Sequence, residues 1–375
     1  MRIFHISDCY APRTGGIESQ VRDLARAQAS GGHEVHVLTA TLGSDGARGG
    51  VVQLDDGVQV HRLGARMPFD LPVNPGGPAL VRRLIAVLRP DVVHVHAGVL
   101  SPFAYDGART ALTAGAPLAI TWHCMLDGAV PALSAAVRHT RWATAPVALS
   151  AVSSAAAERV HEAFGAPVAT VPNGMDLARW APSPGTEPGG TPPLRCVATM
   201  RLAPRKRAGA LVGMIEDAMT QLDPGLLRLD LIGDGPGRAA LERSVVRRGL
   251  QDVVTLRGRL DRDQIAETYR DAQVFLAPAV LEAFGIAALE ARAAGLVVVA
   301  RRGTGIAEFV THDRDGLLVD DDAAMVRAIV RLARDAELLR RLRREALARR
   351  PRFDWSTALA AAEAEYARAR TLAGL

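Results

Sequence analysis

Apolar residues fall in two rhythms along this chain. Short continuous apolar runs predict buried strands. Between them, apolar positions three and four apart predict helices. The run RIFHIS at 2–7 reads as a strand. From Ile17, the positions Val21, Leu24, Ala25 and Ala29 form one helix face, closed by Gly31 and Gly32. A second strand is expected at 35–40, and a hairpin or two short paired strands at 51–63. Proline and glycine over 66–78 predict a mobile loop. Helices follow at 79–88, 105–113, 133–142 and 154–163, the last capped by Ser153 or Ser154. They alternate with strands at 91–95, 118–122, 147–152 and 168–171. His96 and His123 each sit just past one of these strands.

Residues 181–193, APSPGTEPGGTPP, break both rhythms and read as an interdomain linker. Beyond them the alternation resumes, with strands at 194–199, 229–232, 253–256 and 316–319. The helices between and after them are expected at 207–221, 237–247, 262–269 and 323–334, then a basic one at 334–349 and a last one at 356–369. Residues 274–300, VFLAPAVLEAFGIAALEARAAGLVVVA, read as strand, loop, helix, glycine stop and strand. Two successive alternations imply an α/β protein of two doubly wound, Rossmann-like parallel sheets with a cleft between them. The expected domains are 1–178 and 195–354, joined by a linker at 179–194, with a C-terminal helix at 355–375 returning to the first domain.

The chain has 375 residues and a formal net charge of +5. A basic balance suits nucleic acid or an anionic membrane. No basic–aromatic interleaving accompanies it, so no nucleic-acid partner is expected. The three cysteines, Cys9, Cys124 and Cys196, make no CxxC or disulfide framework, which points to a reducing compartment. No signal peptide is expected, and no apolar stretch approaches the ~20 residues that span a bilayer.

Candidate chemistry gathers in the second half. Lys206 is the single lysine among 45 basic residues, and it follows a strand together with Arg201. A lysine offers phosphate a compact point charge, although a solvated turn would use it equally. Glu282 and Glu290 stand before and within the helix of 274–300. Were both helical they would lie ~12 Å apart along the axis. The loop reading of Glu282 separates their roles, and a pair of surface charges is the plain alternative. Gly15 and Gly16 precede a helix and can offer N–H groups to an anion. The run 233–237, GDGPG, is similar to a dinucleotide fingerprint, but Pro236 removes a donor. Asp320–Asp322 has the letters of a metal site and the position of a helix cap. His94, His96 and His123 could form a zinc trio, but no cysteine or carboxylate ligand accompanies them.

Together the motifs resemble the retaining glycosyltransferases of family 4, which have the two-domain GT-B fold. The matches span nearly the whole chain. They are PRTGGIES (12–19), DVVHVH (91–96), TWH (121–123), VPNGMD (171–176), RLAPRK (201–206) and LIGDGPG (231–237). They continue with LRGRL (256–260), LEAFGIAALEARAAG (281–295), GTGIAEFV (303–310) and DGLLV (315–319). The resemblance implies a nucleotide-sugar donor, with UDP favoured and GDP-mannose as the alternative, and transfer of a hexose-type sugar to an acceptor hydroxyl. It makes Gly15, Gly16, Arg201 and Lys206 the diphosphate ligands. The backbone at Phe284, Gly285 and Ile286 would touch the sugar and phosphate. Glu290 would take the ribose, and Arg259 and Leu260 the base. His123 and Glu282 are the candidate catalytic residues.

No cofactor and no metal is expected, because cations and helix dipoles would balance the leaving diphosphate. Without a carboxylate nucleophile on the opposite sugar face, retention would go by same-face attack. Three positions depart from the family pattern: Met200 and Arg207 replace glycines, and Gly295-Leu296-Val297 replaces G-x-P. The acceptor, whether small molecule, glycan or lipid, would be read by the loops at 8–16, 66–77 and 125–131. GGIES and the Asp106–Ala108 region also resemble the branch that glycosylates phosphatidylinositol. With the arginine-rich segment 331–352, that suggests a cytoplasmic protein with peripheral contact at the inner membrane surface as one alternative. Two other activities remain open: a sugar-nucleotide epimerase or phosphorylase on the same architecture, and a non-catalytic nucleotide-sugar sensor.

Overall fold

The computed structural model describes residues 1–13, 15–65, 73–182 and 192–375. Most of the expected 66–78 loop and of the linker, together with Thr14, lies outside the described residues. The chain divides into two compact units, Met1–Met175 with Phe353–Leu375, and Asp176–Arg352.

The first unit runs β1 (Arg2–Ser7), α1 (Gly16–Ser30), β2 (Glu34–Thr39), β3 (Val51–Asp55), β4 (Val58–Arg62) and α2 (Gly77–Leu88). It continues β5 (Val92–Ala97), α3 (Pro102–Thr113), β6 (Leu118–Trp122), α4 (Val130–Arg138), β7 (Val147–Ala151), α5 (Ser154–Phe164) and β8 (Val168–Thr170). The strand order is β3-β4-β2-β1-β5-β6-β7-β8, and among the described residues only β3 runs antiparallel to its neighbour. Its central strands are buried on both faces, as helix-covered parallel strands must be. β5 is wholly buried although it contains His94 and His96. It runs on to Ala97, so His96 lies inside the sheet and not past its edge. The helix expected at 133–142 begins three residues earlier, with Pro131 in its first turn, and stops at Arg138. Thr140 then accepts from the Trp142 N–H and opens a separate 3₁₀ turn.

The second unit runs β9 (Leu194–Thr199), α6 (Ala208–Met219), β10 (Leu227–Ile232), α7 (Arg238–Arg247), β11 (Val254–Gly258), α8 (Arg262–Asp271) and β12 (Val274–Ala277). It continues α9 (Ile286–Ala293), β13 (Val297–Arg301), β14 (Gly316–Val319), α10 (Asp322–Arg334) and α11 (Ala336–Ala348). All its strands are parallel, in the order β11-β10-β9-β12-β13-β14. The order reverses between β9 and β12, and such a switch point opens a crevice at the strands' carboxyl ends. Val274, Leu276, Val297 and Val299 join one core with Leu211, Ile215, Ile329 and Leu342. Each such side chain contributes roughly 1.5–3 kcal/mol by burial. Arg292 of α9 is buried too, donating to Asp315 Oδ2 at 2.9 Å and to the carbonyls of Ala346 and Arg349. Asp335 ends α10 and caps α11 at Leu338 N, which splits the basic stretch into two helices.

The last helix, α12 (Trp355–Leu372), packs on the first sheet, placing Ala362, Tyr366 and Ala369 against Ile3, Val92, Ala119 and Ala148. Asp354 caps it at Thr357 N.

Candidate active site

The crevice of the second unit is built from the segments that leave its strands. After β9 the chain turns through Met200, an exposed Arg201 and a 3₁₀ turn over Pro204–Lys206. The segment 233–237 backs this turn. Leu202 N donates to Asp234 O, and Gly237 N donates to Leu202 O, each at 2.9 Å. A Cβ on Gly235, at φ 154°, would lie 2.8 Å from Leu202 O. The glycines resembling a dinucleotide fingerprint therefore serve close backbone packing under the Arg201–Lys206 turn. Among the described residues no ion pair involves Arg201.

Lys206 Nζ donates to Glu282 Oε2, joining the segment after β9 to the segment after β12. Each side chain is about one-fifth exposed. Glu282 holds its loop down by accepting the Gly305 N–H on its backbone carbonyl, at 2.8 Å. Gly285 precedes α9 with φ 90°, and a Cβ there would meet Ile306 Cγ1 at 2.6 Å. No side chain caps α9, and its first turn contains no acid. Its leading N–H groups, beside Lys206, form a positive locus suited to an anion. Phe284 is buried against Phe309, with ring centroids 5.6 Å apart, and Ile286 is half-buried.

Glu290 lies one turn further along α9. Burial pushes its carboxyl up to about 8, opposed only in part by the charge of Arg262. At neutral pH it is a neutral acid that can donate one hydrogen bond and accept another. Tyr269 stands near it and donates to Thr199 Oγ1 at 2.9 Å. Arg259, exposed, and Leu260, half-buried, follow β11 on the same carboxyl edge.

Arg207 departs from the positive locus. It occupies φ 62° and donates to both carboxylate oxygens of Asp322, at 2.8 and 2.6 Å. Asp321 caps α10 at Ala324 N, and Asp320 pairs with Arg302. The three aspartates thus have cap and ion-pair partners.

In the first unit, Gly15 and Gly16 open α1, which has no side-chain cap, and Glu18 occupies its first turn. His123 follows β6, its N–H donating to Ala97 O. It lines a pocket with Gln20, His94, His96, Asn173 and Trp355. Gly174 is needed where Trp355 packs, since a Cβ would lie 2.6 Å from its Cε3. Burial lowers His123 and His5 to about 4, and holds His94 and His96 well below their usual range. His5 lies inside an apolar strand run, so no local pattern sets it apart. Register brings it in, for β1 sets His5 beside His94 and Ser7 beside His96.

Residues 14–179 match the Glycosyltransferase Family 4 profile, and residues 193–335 match Glycosyl transferases group 1. The chain is 30% identical to D-inositol 3-phosphate glycosyltransferase of Xylanimonas cellulosilytica, over 97% of this chain and 95% of that one. It is 29% identical to one component of the phosphatidylinositol N-acetylglucosaminyltransferase of Arabidopsis thaliana, over 88% and 73%. Anabaena HepE, solved with UDP and glucose, shares the fold at a TM-score of 0.74 and 21% identity, over 97% of this chain and 99% of that one. The fold is that of the GT-B enzymes. By both profiles and by its relatives, the chain belongs to glycosyltransferase family 4, and it is a glycosyltransferase that uses a nucleotide sugar.

Proposed function

We propose that the chain moves a hexose-type sugar from a UDP-sugar to an acceptor hydroxyl, with retention at the anomeric carbon and without a bound metal. The observation that carries this is the Lys206–Glu282 pair set across the β9/β12 switch point, in front of the uncapped start of α9. A diphosphate placed there meets an ammonium, the nearby Arg201 and a helix N-terminus. These groups supply the positive charge that a divalent ion would otherwise bring. Glu282, released as Lys206 turns to phosphate, is then free to accept a hydrogen bond from the transferred sugar. Glu290 takes the ribose, with Arg259 and Leu260 at the base. His123, in the first unit, is assigned to the sugar. Same-face attack, with the leaving phosphate taking the acceptor's proton, accounts for retention without a carboxylate nucleophile. GDP-mannose is the second donor to test.

The acceptor class to assay first is an inositol phosphate, because inositol stands in the names of both relatives. The assay incubates the protein with UDP- and GDP-sugars and inositol phosphate in EDTA. A product with the donor's anomeric configuration supports the reading. An inverted product, or turnover only with added metal, overturns the corresponding part. Donor conversion without acceptor would indicate an epimerase, and binding without turnover a sensor.

A further inference from the structure

Eight hydrogen-bonded side chains of the first unit form one continuous chain, and its polarity can be followed from an end that is chemically fixed. Ser150 Oγ donates to the carbonyl of Ile120 at 3.3 Å, and a carbonyl can only accept. Having spent its one proton, Ser150 Oγ accepts from Thr121 Oγ1 at 2.8 Å. Thr121 then accepts from His94 Nε2 at 2.7 Å, which leaves His94 Nδ1 without a proton. Tyr366 OH therefore donates to His94 Nδ1 at 2.8 Å, and itself accepts from Gln28 Nε2 at 2.9 Å. This turns Gln28 Oε1 toward His5 Nε2, which donates at 2.7 Å. His5 Nδ1 must then accept from His96 Nε2 at 2.9 Å, and His96 Nδ1 from His123 Nε2 at 3.0 Å.

We infer that this chain, from Ser150 through Tyr366 of α12 to His96, holds His123 as its Nε2–H tautomer, so that Nδ1 is offered as an acceptor to a donor hydroxyl of the sugar. The sugar contact rests on the role proposed for His123 above. The tautomer rests on the hydrogen bonds alone. Burial lowers all four histidines, which keeps them neutral at pH 7 and makes the choice of tautomer meaningful. His5, His94 and His96 are also close enough to share a cation. All six of their ring nitrogens are already engaged, so a metal would have to displace these partners. Tyr366, Gln28, His5 and His96 are positioning residues, since they act through His123.

The test is nitrogen-15 NMR of the histidine rings in the full chain at pH 7.5, with turnover measured alongside. His123 is expected to carry its proton on Nε2. In Tyr366→Phe the link to the fixed carbonyl is cut and the Gln28 amide can rotate. His123 should then populate both tautomers, with kcat falling roughly five- to tenfold, the scale of one lost hydrogen bond, and UDP affinity unchanged. A proton on His123 Nδ1 in the wild type overturns the inference whatever the turnover. A single unchanged tautomer in Tyr366→Phe overturns the coupling through α12. Tautomer mixing with unaltered kcat keeps the chain of hydrogen bonds and removes instead the sugar contact of His123.

Discussion

Lys206 donates to Glu282 across the point where the second sheet reverses its strand order. The two residues are 76 positions apart and belong to different βα units. With no donor bound, the carboxylate neutralises the ammonium that the diphosphate would use. Lys206→Ala should weaken UDP by roughly 10–100-fold, the range for a lost charge-assisted hydrogen bond. Glu282→Gln should leave UDP affinity unchanged or tighter while cutting turnover. Calorimetric titration with UDP distinguishes them, and equal weakening in both variants would sink the assignment.

Arg207 stands in a left-handed conformation, at a position where the resemblance to family 4 implies glycine. It is retained by its paired hydrogen bonds to Asp322, which also lies 3.5 Å from Arg301. The left-handed backbone costs about 1–2 kcal/mol for a residue with a Cβ. The partly exposed ion pair returns ~0–1 kcal/mol. Arg207→Gly should therefore lie within about 1 kcal/mol of the wild type in urea unfolding. Arg207→Ala keeps the strain and loses the pair, so it should fall about 1 kcal/mol below the glycine variant. An alanine variant as stable as the glycine one would contradict this account.

Gly285 fixes where α9 begins, through both its positive φ and its approach to Ile306. Gly285→Ala should destabilise by roughly 1–3 kcal/mol and displace the N–H groups at the start of α9, where a phosphate is proposed to bind. Ile306→Ala alone loses a buried side chain, so Gly285→Ala is also compared in that background. There it should cost less than in the wild type but not zero, because φ 90° still disfavours alanine. The comparison is made by urea melts with UDP binding on each variant. No cost of Gly285→Ala in the Ile306→Ala background would show that backbone conformation contributes nothing.

The parallel strands were legible because burial on both faces writes them as apolar runs. The glycine stops and a cap at Ser153 or Ser154 were legible because their chemistry is local, and the cap is Ser153. Lys206, Glu282 and Glu290 stood out singly, but the Lys206–Glu282 bond depends on β9 lying beside β12, which no local pattern encodes. His5 was hidden inside an apolar run, and its meaning comes from its register with His94. Nothing in the local pattern distinguishes Arg292, yet it is buried and bonded to Asp315 and two carbonyls. The helix break at Thr140 was missed because it depends on a side-chain cap that competes with helix continuation, whereas the break at Asp335 falls where the helices expected at 323–334 and 334–349 meet.

Glu290 gives the protein a pH signature. The unfolded chain ionises this carboxyl near its ordinary value of 4.5, whereas the folded one keeps its proton to about 8. Between those values the folded state binds the extra proton, so stability falls as pH rises, by at most ~1.4 kcal/mol per pH unit for one group. The contribution is complete below about 4.5 and lost as pH passes 8. Glu290→Gln removes the ionisation and keeps a donor and an acceptor in place. Its unfolding free energy should decline less than the wild type's between pH 5.5 and 8, as measured by urea melts at both values. Parallel declines would show that Glu290 ionises normally. The same substitution probes the proposed ribose contact. UDP affinity at pH 7 should fall less than about tenfold in Glu290→Gln, and further in Glu290→Ala, which leaves the ribose hydroxyls without a partner.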